Sequence, residues 1–507
     1  NNVRLDALSG SGRIHSGFNG AGYEALRFGV AGGSGSFSGV LADTDAANRH
    51  VGGFIKEGAG TQVLTGDNTF TGDLGILAGQ VQIGDGGTSG SLAARSIVNQ
   101  AELSFSRSDD SSFEGMIAGA GNLTKLGAGR LTLAQKSFLL YSPYTGTTSV
   151  RGGTLVLAGT NNSRAHDISQ DAVLELQVAS GSRDGTVATQ FTGQGTLRKT
   201  GAGQSLWGAS AATFAMGAGS LIDVQAGSFV GGSSGNEDWR LNQSALNVAA
   251  GARFDGVEAN VRVGGLSGSG RISSGFNGAG YTAFTFGLAD GSGDFAGVLA
   301  DSSAGNSGRF VKVGSGTQTL RGASTFTGGL DIDGGTVALA GGSNRLPTGI
   351  TVRIRNGASL DLGGTAQTLT GLGTQADRVV GNLGAGSLFT SNGVFLQSGR
   401  VDATLQGGGS IFLQRLWIGG DASATVLRRM RRFGGTEAFL GLIERIRASV
   451  KKQRTRSRRS SRQRAWTAIS AKSKLSANDT LLWLVRVMVQ DFIHTSRGFT
   501  RADAPLL

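Results

Sequence analysis

The chain has no cysteine and only 3 prolines in 507 residues. Without thiols there is no disulfide and no thiolate metal site. Proline this sparse, with no Gly-x-y period, excludes a collagen triple helix. The four histidines, His15, His50, His166 and His494, leave little for imidazole chemistry. No run of 18 apolar residues occurs, so no transmembrane helix is expected. No signal peptide opens the chain, which begins at Asn1. Before residue 423 there is no heptad pattern and no convincing amphipathic helix.

Glycine fills the space these absences leave. There are 88 glycines, well above the roughly 7% of average proteins. They punctuate a repeat that starts Lys-x-Gly-x-Gly at Lys56, Lys125 and Lys312, with a decayed copy at Lys199. Each good copy turns at Phe70-Thr71-Gly72, Tyr144-Thr145-Gly146 or Phe326-Thr327-Gly328. Two short alternating strands follow: Leu74/Ile76 then Val81/Ile83, Thr148/Val150 then Leu155/Leu157, and Leu330/Ile332 then Val337/Leu339. Period-2 alternation puts these residues on one strand face. A unit this short buries that face only against a neighbouring copy, which predicts an all-β solenoid of about 23 residues per coil. Gln62 and Gln318 occupy inward slots aligned with Leu131. They read either as a stacked amide ladder or, the favoured reading, as coil-edge slots open to water.

Residues 2–43 match 260–301 at 31 of 42 positions, and the match resumes after a two-residue deletion, so that 2–84 and 260–341 are a duplicated unit. The upstream copy has no counterpart of the lead-in at 240–259, so residue 1 is expected to fall inside a unit of a longer protein. Near residue 423 the sequence changes character. Residues 423–507 hold 19 of the 47 Lys and Arg but only 5 of the 35 Asp and Glu, net +14, which leaves −2 for residues 1–422. The tail also holds 4 of the 88 glycines. The expected division is therefore a solenoid over 1–422 and a basic, non-solenoid tail over 423–507. That tail reads as a basic arm for anionic partners, as a disordered linker or short helices, or, the favoured reading, as out-of-frame sequence.

The repeat resembles the passenger-associated repeat of bacterial autotransporters, the type V secretion proteins. The copies at 56–84, 125–159 and 312–341 carry the resemblance. It implies a right-handed parallel β-helix passenger, secreted or displayed at the bacterial outer-membrane surface as a scaffold for adhesion or aggregation. It also implies partners among host or neighbouring-cell surface molecules, glycans or further copies of the chain, and a C-terminal outer-membrane barrel. Residues 423–507 lack alternating ten-residue barrel strands, so a truncated or frameshifted, non-functional gene product is a further alternative. The absence of cysteine suits a chain exported unfolded.

No enzyme, cofactor or metal site is expected. No histidine accompanies a Gly-x-Ser-x-Gly elbow, and His15 is replaced by Ser273 in the second copy, as on a tolerant surface. A carbohydrate-active β-helix enzyme is the rival, since paired acids cleave glycosides. Asp331 and Asp333 are its best candidates, but alternation with Leu330 and Ile332 places both on a solvated outer face; Asp109 and Asp110 lie in a Ser-rich loop. Gly84–Gly87 stands alone as a calcium-like turn, and the Gly-rich 17–22 imitates a phosphate loop without a helix to follow. The basic run 451–464 has only Trp466 nearby, so specific nucleic-acid binding is not expected. Phe18/Phe276 and Tyr23/Tyr281 read as exposed contacts or, preferentially, as buried caps on turns.

Overall fold

The computed structural model describes residues 3–408 and 410–418, apart from 18–23, 46–50, 135–143, 159–162, 185–187, 207–210, 233–236 and 276–280. The chain divides into two compact units, Asn1–Arg429 and Met430–Leu507. All described residues lie in the first, so the expectations for the basic tail lie outside them.

The fold is an all-β parallel solenoid. Among the described residues, strands of two to five residues follow one another from Arg13 to Leu372, with a 3-10 turn at Leu288–Asp290. Every strand pairing among the described residues is parallel. One column of stacked residues runs Leu26, Phe54, Leu74, Ile97 and Ile117. Its steps of 28, 20, 23 and 20 residues are the successive coils. Each early coil contributes to three ladders, as the segments Asp73–Ile76, Gln80–Ile83 and Ser91–Leu92 illustrate.

Alternation sets the two faces. Leu74, Ile76, Val81 and Ile83 are buried, as are Thr148, Val150, Leu155 and Leu157, and Leu330, Ile332, Val337 and Leu339. In-register parallel rungs about 4.8 Å apart set like side chains above one another. Aromatic rings therefore stack through the interior. Phe191 lies 5.4 Å from Phe214, Phe214 lies 4.0 Å from Trp239, and Phe254, Phe284, Phe310 and Phe326 continue at 6.0, 5.5 and 4.8 Å. Each such pair adds about 0.5–1.5 kcal/mol beyond its buried area.

Glycine is required at one corner by close approach. Gly12, Gly39 and Gly66 follow one another in three coils; a Cβ on Gly39 would overlap the Gly12 carbonyl oxygen, and one on Gly66 that of Gly39. The second copy repeats the column as Gly270, Gly297 and Gly322. The duplication also preserves register. Arg13 pairs with Val40 and Arg271 with Val298; Leu26 pairs with Phe54 and Phe284 with Phe310.

The last coils depart from the short-strand pattern. Val379–Thr390, Gly393–Gly407 and Ser410–Ile418 are strands of 12, 15 and 9 residues. Register shifts between Val379 and Val380, and between Leu383 and Gly386, let a continuous strand bend where earlier coils turn. Gly386 and Gly399 take φ of 144° and 132°, values open to glycine.

Candidate functional site: repeat clamps and an arginine-lined groove

The lysine that opens each repeat is buried. Lys56, Lys125, Lys199 and Lys312 are at most 2% exposed. Each Nζ donates to the next two carbonyls in its own turn and to one in the following coil. For Lys199 these acceptors are Thr200 (2.8 Å), Gly201 (2.8 Å) and Ala226 (3.1 Å). Lys56 reaches Ala78, Lys125 reaches Gly152 and Lys312 reaches Gly334. Among the described residues no carboxylate forms an ion pair with any of the four. The ammonium thus neutralises a cluster of carbonyl dipoles at a tight turn. Burial pushes Lys125 and Lys199 down to about 8 and also lowers Lys56 and Lys312.

The Phe-Thr-Gly turn is tied to the coil before it. Asp43 accepts from the Gly52 and Thr71 amides and from Thr71 Oγ1 at 2.8 Å. Asp301 does the same for Gly308 and Thr327. In the middle copy the Thr145 amide donates to the Gly119 carbonyl of the coil before, and Tyr144 Oη donates to the Thr147 carbonyl at 2.7 Å. Gln62 and Gln318 are not open to water, contrary to the favoured expectation: they are 1% and 0% exposed. Nor do they pair amide to amide. Gln62 accepts from the Leu8 amide (2.8 Å) and donates to the Leu8 carbonyl (2.9 Å), reaching past Gly35 in the intervening rung. Gln318 makes the same pair with Leu266 past Gly293. The side-chain amide completes a main-chain pairing where the rung between supplies no side chain.

Asp331 overturns the expectation of a solvated outer face. It points away from the apolar interior, yet its side chain is only 1% exposed because three arginines cover it. Arg309 bonds one oxygen of Asp331, Arg353 Nη1 lies 3.1 Å from the other, and Arg355 Nη1 lies 3.4 Å away. Arg355 also pairs with Asp333 at 2.8 Å and with Asp377, and Arg353 Nε lies 3.3 Å from Asp377. Burial alone would raise the Asp331 carboxyl; the Arg309 and Arg353 bonds outweigh it and hold the group below the usual carboxylate range. The Asp377 bond raises Arg355 further above its ordinary value. Beside this network lies an open groove of about 470 Å³, lined by Arg309, Gly328, Arg353, Arg355, Thr374 and Asp377. Arg309 Nε is buried without a partner.

The first copy has other residues at these positions. With Lys56 aligned to Lys312, Asp331 corresponds to Gly75 and Asp333 to the exposed Leu77. The outward column there runs Ile55, Gly75, Val98, where the second copy has Val311, Asp331, Arg353. Sequence reasoning singled out the two aspartates and missed the arginines. The signal was available, because Arg309, Asp331 and Arg353 are successive at intervals of 22, as are Asp333, Arg355 and Asp377.

The other candidates scatter. His15 is exposed and its ring contacts the Asp43 carbonyl. Ser273, expected on a tolerant surface, is fully buried, because its strand is paired on both sides, with Arg253–Val257 and Val298–Asp301. His166 is buried against Phe191 at 5.0 Å. Asp109 pairs with Arg107, and Asp110 accepts from the Arg130 amide. Tyr281 is partly buried, its hydroxyl 2.7 Å from Ser274 Oγ, as a turn cap should be. His50, His494, Phe18, Phe276, Tyr23, Trp466 and the run 451–464 lie outside the described residues. No group of three or more His, Cys, Asp or Glu that would hold a metal ion occurs among the described residues.

Comparison with known proteins gives two findings. The passenger-associated-transport-repeat family matches at residues 54–83, 123–162 and 310–339. Each match begins on the strand that carries a buried lysine and runs through the strands that follow it. A stretch of 66 residues is 50% identical to the adhesin BmaC autotransporter of Brucella suis biovar 1 (strain 1330). That stretch is 13% of this chain and 2% of the relative, so the chain spans a small fraction of that protein. No solved structure matches the chain.

Proposed function

We propose that this parallel β-solenoid, which carries three passenger-associated transport repeats, serves as an autotransporter passenger whose outward faces adhere to other cells. Its place is the outer-membrane surface or the surrounding medium, and its partners are molecules on a host or neighbouring cell. The observation that carries the reading is the coincidence of repeat and rung. Lysine, Phe-Thr-Gly turn and paired strands are all used to hold coil on coil. The motif therefore specifies a stack and leaves the outward faces free for recognition. The adhesin relative supports the same reading over its short matched stretch.

The test is display of the chain on a non-adherent Gram-negative host through a heterologous outer-membrane barrel. Displayed chain is expected to raise adherence to epithelial cells or to bacteria several-fold over the barrel alone. Full display with no gain in adherence refutes the adhesin reading.

One observation favours an enzyme reading: Asp331, Asp333 and Asp377, from adjacent coils, all pair with Arg355 beside the groove. A glycosidase needs one of its carboxyls held protonated near neutral pH. Here the buried member is held ionised by arginine. The same preparation is expected to release no reducing sugar from polysaccharides.

A further inference from the structure

We infer that the groove beside Asp331 binds an acidic saccharide, with the carboxylate or sulfate ester of a sugar held by Arg309 and Arg353. The inference deepens the adhesin reading and rests on it for its biological use, but its chemistry stands on the groove. Arg309, Arg353 and Arg355 line an open cavity of about 470 Å³. Asp331 lies beneath them, 1% exposed, and holds them from below. A guanidinium offers five N–H donors in a planar fork suited to carboxylate and sulfate. The ion pairs do not exhaust them, since the Arg309 and Arg353 side chains remain 40% and 28% exposed above Asp331. Asp331 preorganises the fork, so little side-chain freedom is lost when an anion binds.

The remaining lining narrows the ligand class. Asp377 lines the groove with Thr374, and Asp333 is bound to the same Arg355; both carboxylates are about one-third exposed. These carboxylates repel a densely charged polyanion such as nucleic acid and accept hydrogen bonds from hydroxyl groups. That combination suits a sparsely charged, hydroxyl-rich chain. An acidic peptide fits poorly. The groove offers no apolar side chain as an anchor, and the strand Thr351–Ile354 is already paired on both sides, with Leu330–Ile332 and Gly371–Leu372, so no strand can add. The first copy is an internal contrast, with Gly75 and Leu77 in place of the two aspartates.

The test titrates the full 507-residue chain with a sulfated tetrasaccharide, a uronate tetrasaccharide, the methyl-esterified uronate and a single-stranded oligonucleotide, by calorimetry. Two variants accompany it. Arg353→Gln removes one arm of the fork. Thr374→Asp adds a carboxylate to the groove and keeps an acceptor for the Asp377 amide that Thr374 Oγ1 now takes at 2.9 Å, so its melting temperature is expected to match the parent's. At least one acidic saccharide should bind, more weakly as salt rises, and both variants should weaken it tenfold or more. The sulfated and uronate arms separate the two sources of the anion. Absence of binding by both acidic saccharides, equal binding of the neutral ester or the oligonucleotide, or unchanged binding in both variants would each overturn the inference. Adherence of displayed cells is measured alongside. Adherence without saccharide binding sinks the groove and leaves the adhesin reading standing; saccharide binding without adherence does the reverse.

Discussion

Raising the pH should stabilise this solenoid, because it carries ammonium groups that burial disfavours. Lys125 and Lys199 titrate near 8 in the folded chain against an ordinary 10.5. Above 10.5 both states are neutral and the penalty vanishes. Between 10.5 and 8 the unfolded chain takes a proton that the folded chain refuses, so stability falls as pH falls. Below 8 both states are charged and the penalty is constant. The shift of about 2.5 units corresponds to about 3.4 kcal/mol per lysine, of which roughly 2 falls between pH 7 and 9.5. The ammonium sits at a turn close to solvent and is already held by three carbonyls, which brings the expected gain to about 1–2 kcal/mol per lysine. The window ends at 9.5 because burial pushes the Tyr144 phenol up; above pH 10 the unfolded tyrosine would ionise first and reverse the trend. The measurement is urea unfolding followed by circular dichroism at pH 7, 8.5 and 9.5, on the parent and on Lys125→Met. The parent midpoint should rise with pH, and the variant should lose the Lys125 share of that rise. A parent midpoint that is flat or falling, or a variant that gains as much as the parent, would refute the assignment of the cost to the buried lysines.

Three further outcomes follow from packing and pairing. Gly66→Ala, whose new methyl would collide with the Gly39 carbonyl, should cost about 3 kcal/mol or more by forcing two coils apart, read as a lowered urea midpoint; a change under about 0.5 kcal/mol would mean that the corner relaxes freely. Gln62→Leu should cost about 2–4 kcal/mol, because it strands both the amide and the carbonyl of Leu8 in the interior, and the same change at Gln318 should match it in a parallel melt. Asp331→Asn should cost about 3 kcal/mol by leaving Arg309 and Arg353 without their buried counter-ion. Since the Asp331 carboxyl is held below its ordinary 3.8, its contribution is present above that value and lost as pH falls through the lower folded one. The variant should therefore lose less stability than the parent on acidification below pH 3.8.

What the sequence made legible was whatever repeats at short range. Leu74 and Ile76, or Val337 and Leu339, declare their inward face through alternation alone, and the Phe-Thr-Gly turns mark where a coil bends. The partners of those turns were harder to see, because Asp43 and Thr71 lie a whole coil apart, 28 residues along the chain. In the sequence the lysine of the repeat is a landmark and not a recognisable buried cation, since a charged residue next to glycines ordinarily reads as surface. Gln62 was misplaced for a related reason. Its environment depends on Gly35, one rung below, and on Leu8 beyond it. The groove required charge to be compared at the coil interval, where Asp331 meets Arg353 and Asp333 meets Arg355. The long strands beyond Val379 had no earlier copy to be compared with.

The duplicated unit holds one further lesson in its two versions of a single rung. Leu74 and Ile76 have counterparts in Leu330 and Ile332, all facing inward and all buried. Between them the residue changes from Gly75 to Asp331, and the rung still pairs in the same register on both sides. Architecture and outward chemistry are thus written on alternate letters of the same strand. A lineage carrying such a fold is free to revise what it touches without renegotiating how it stands.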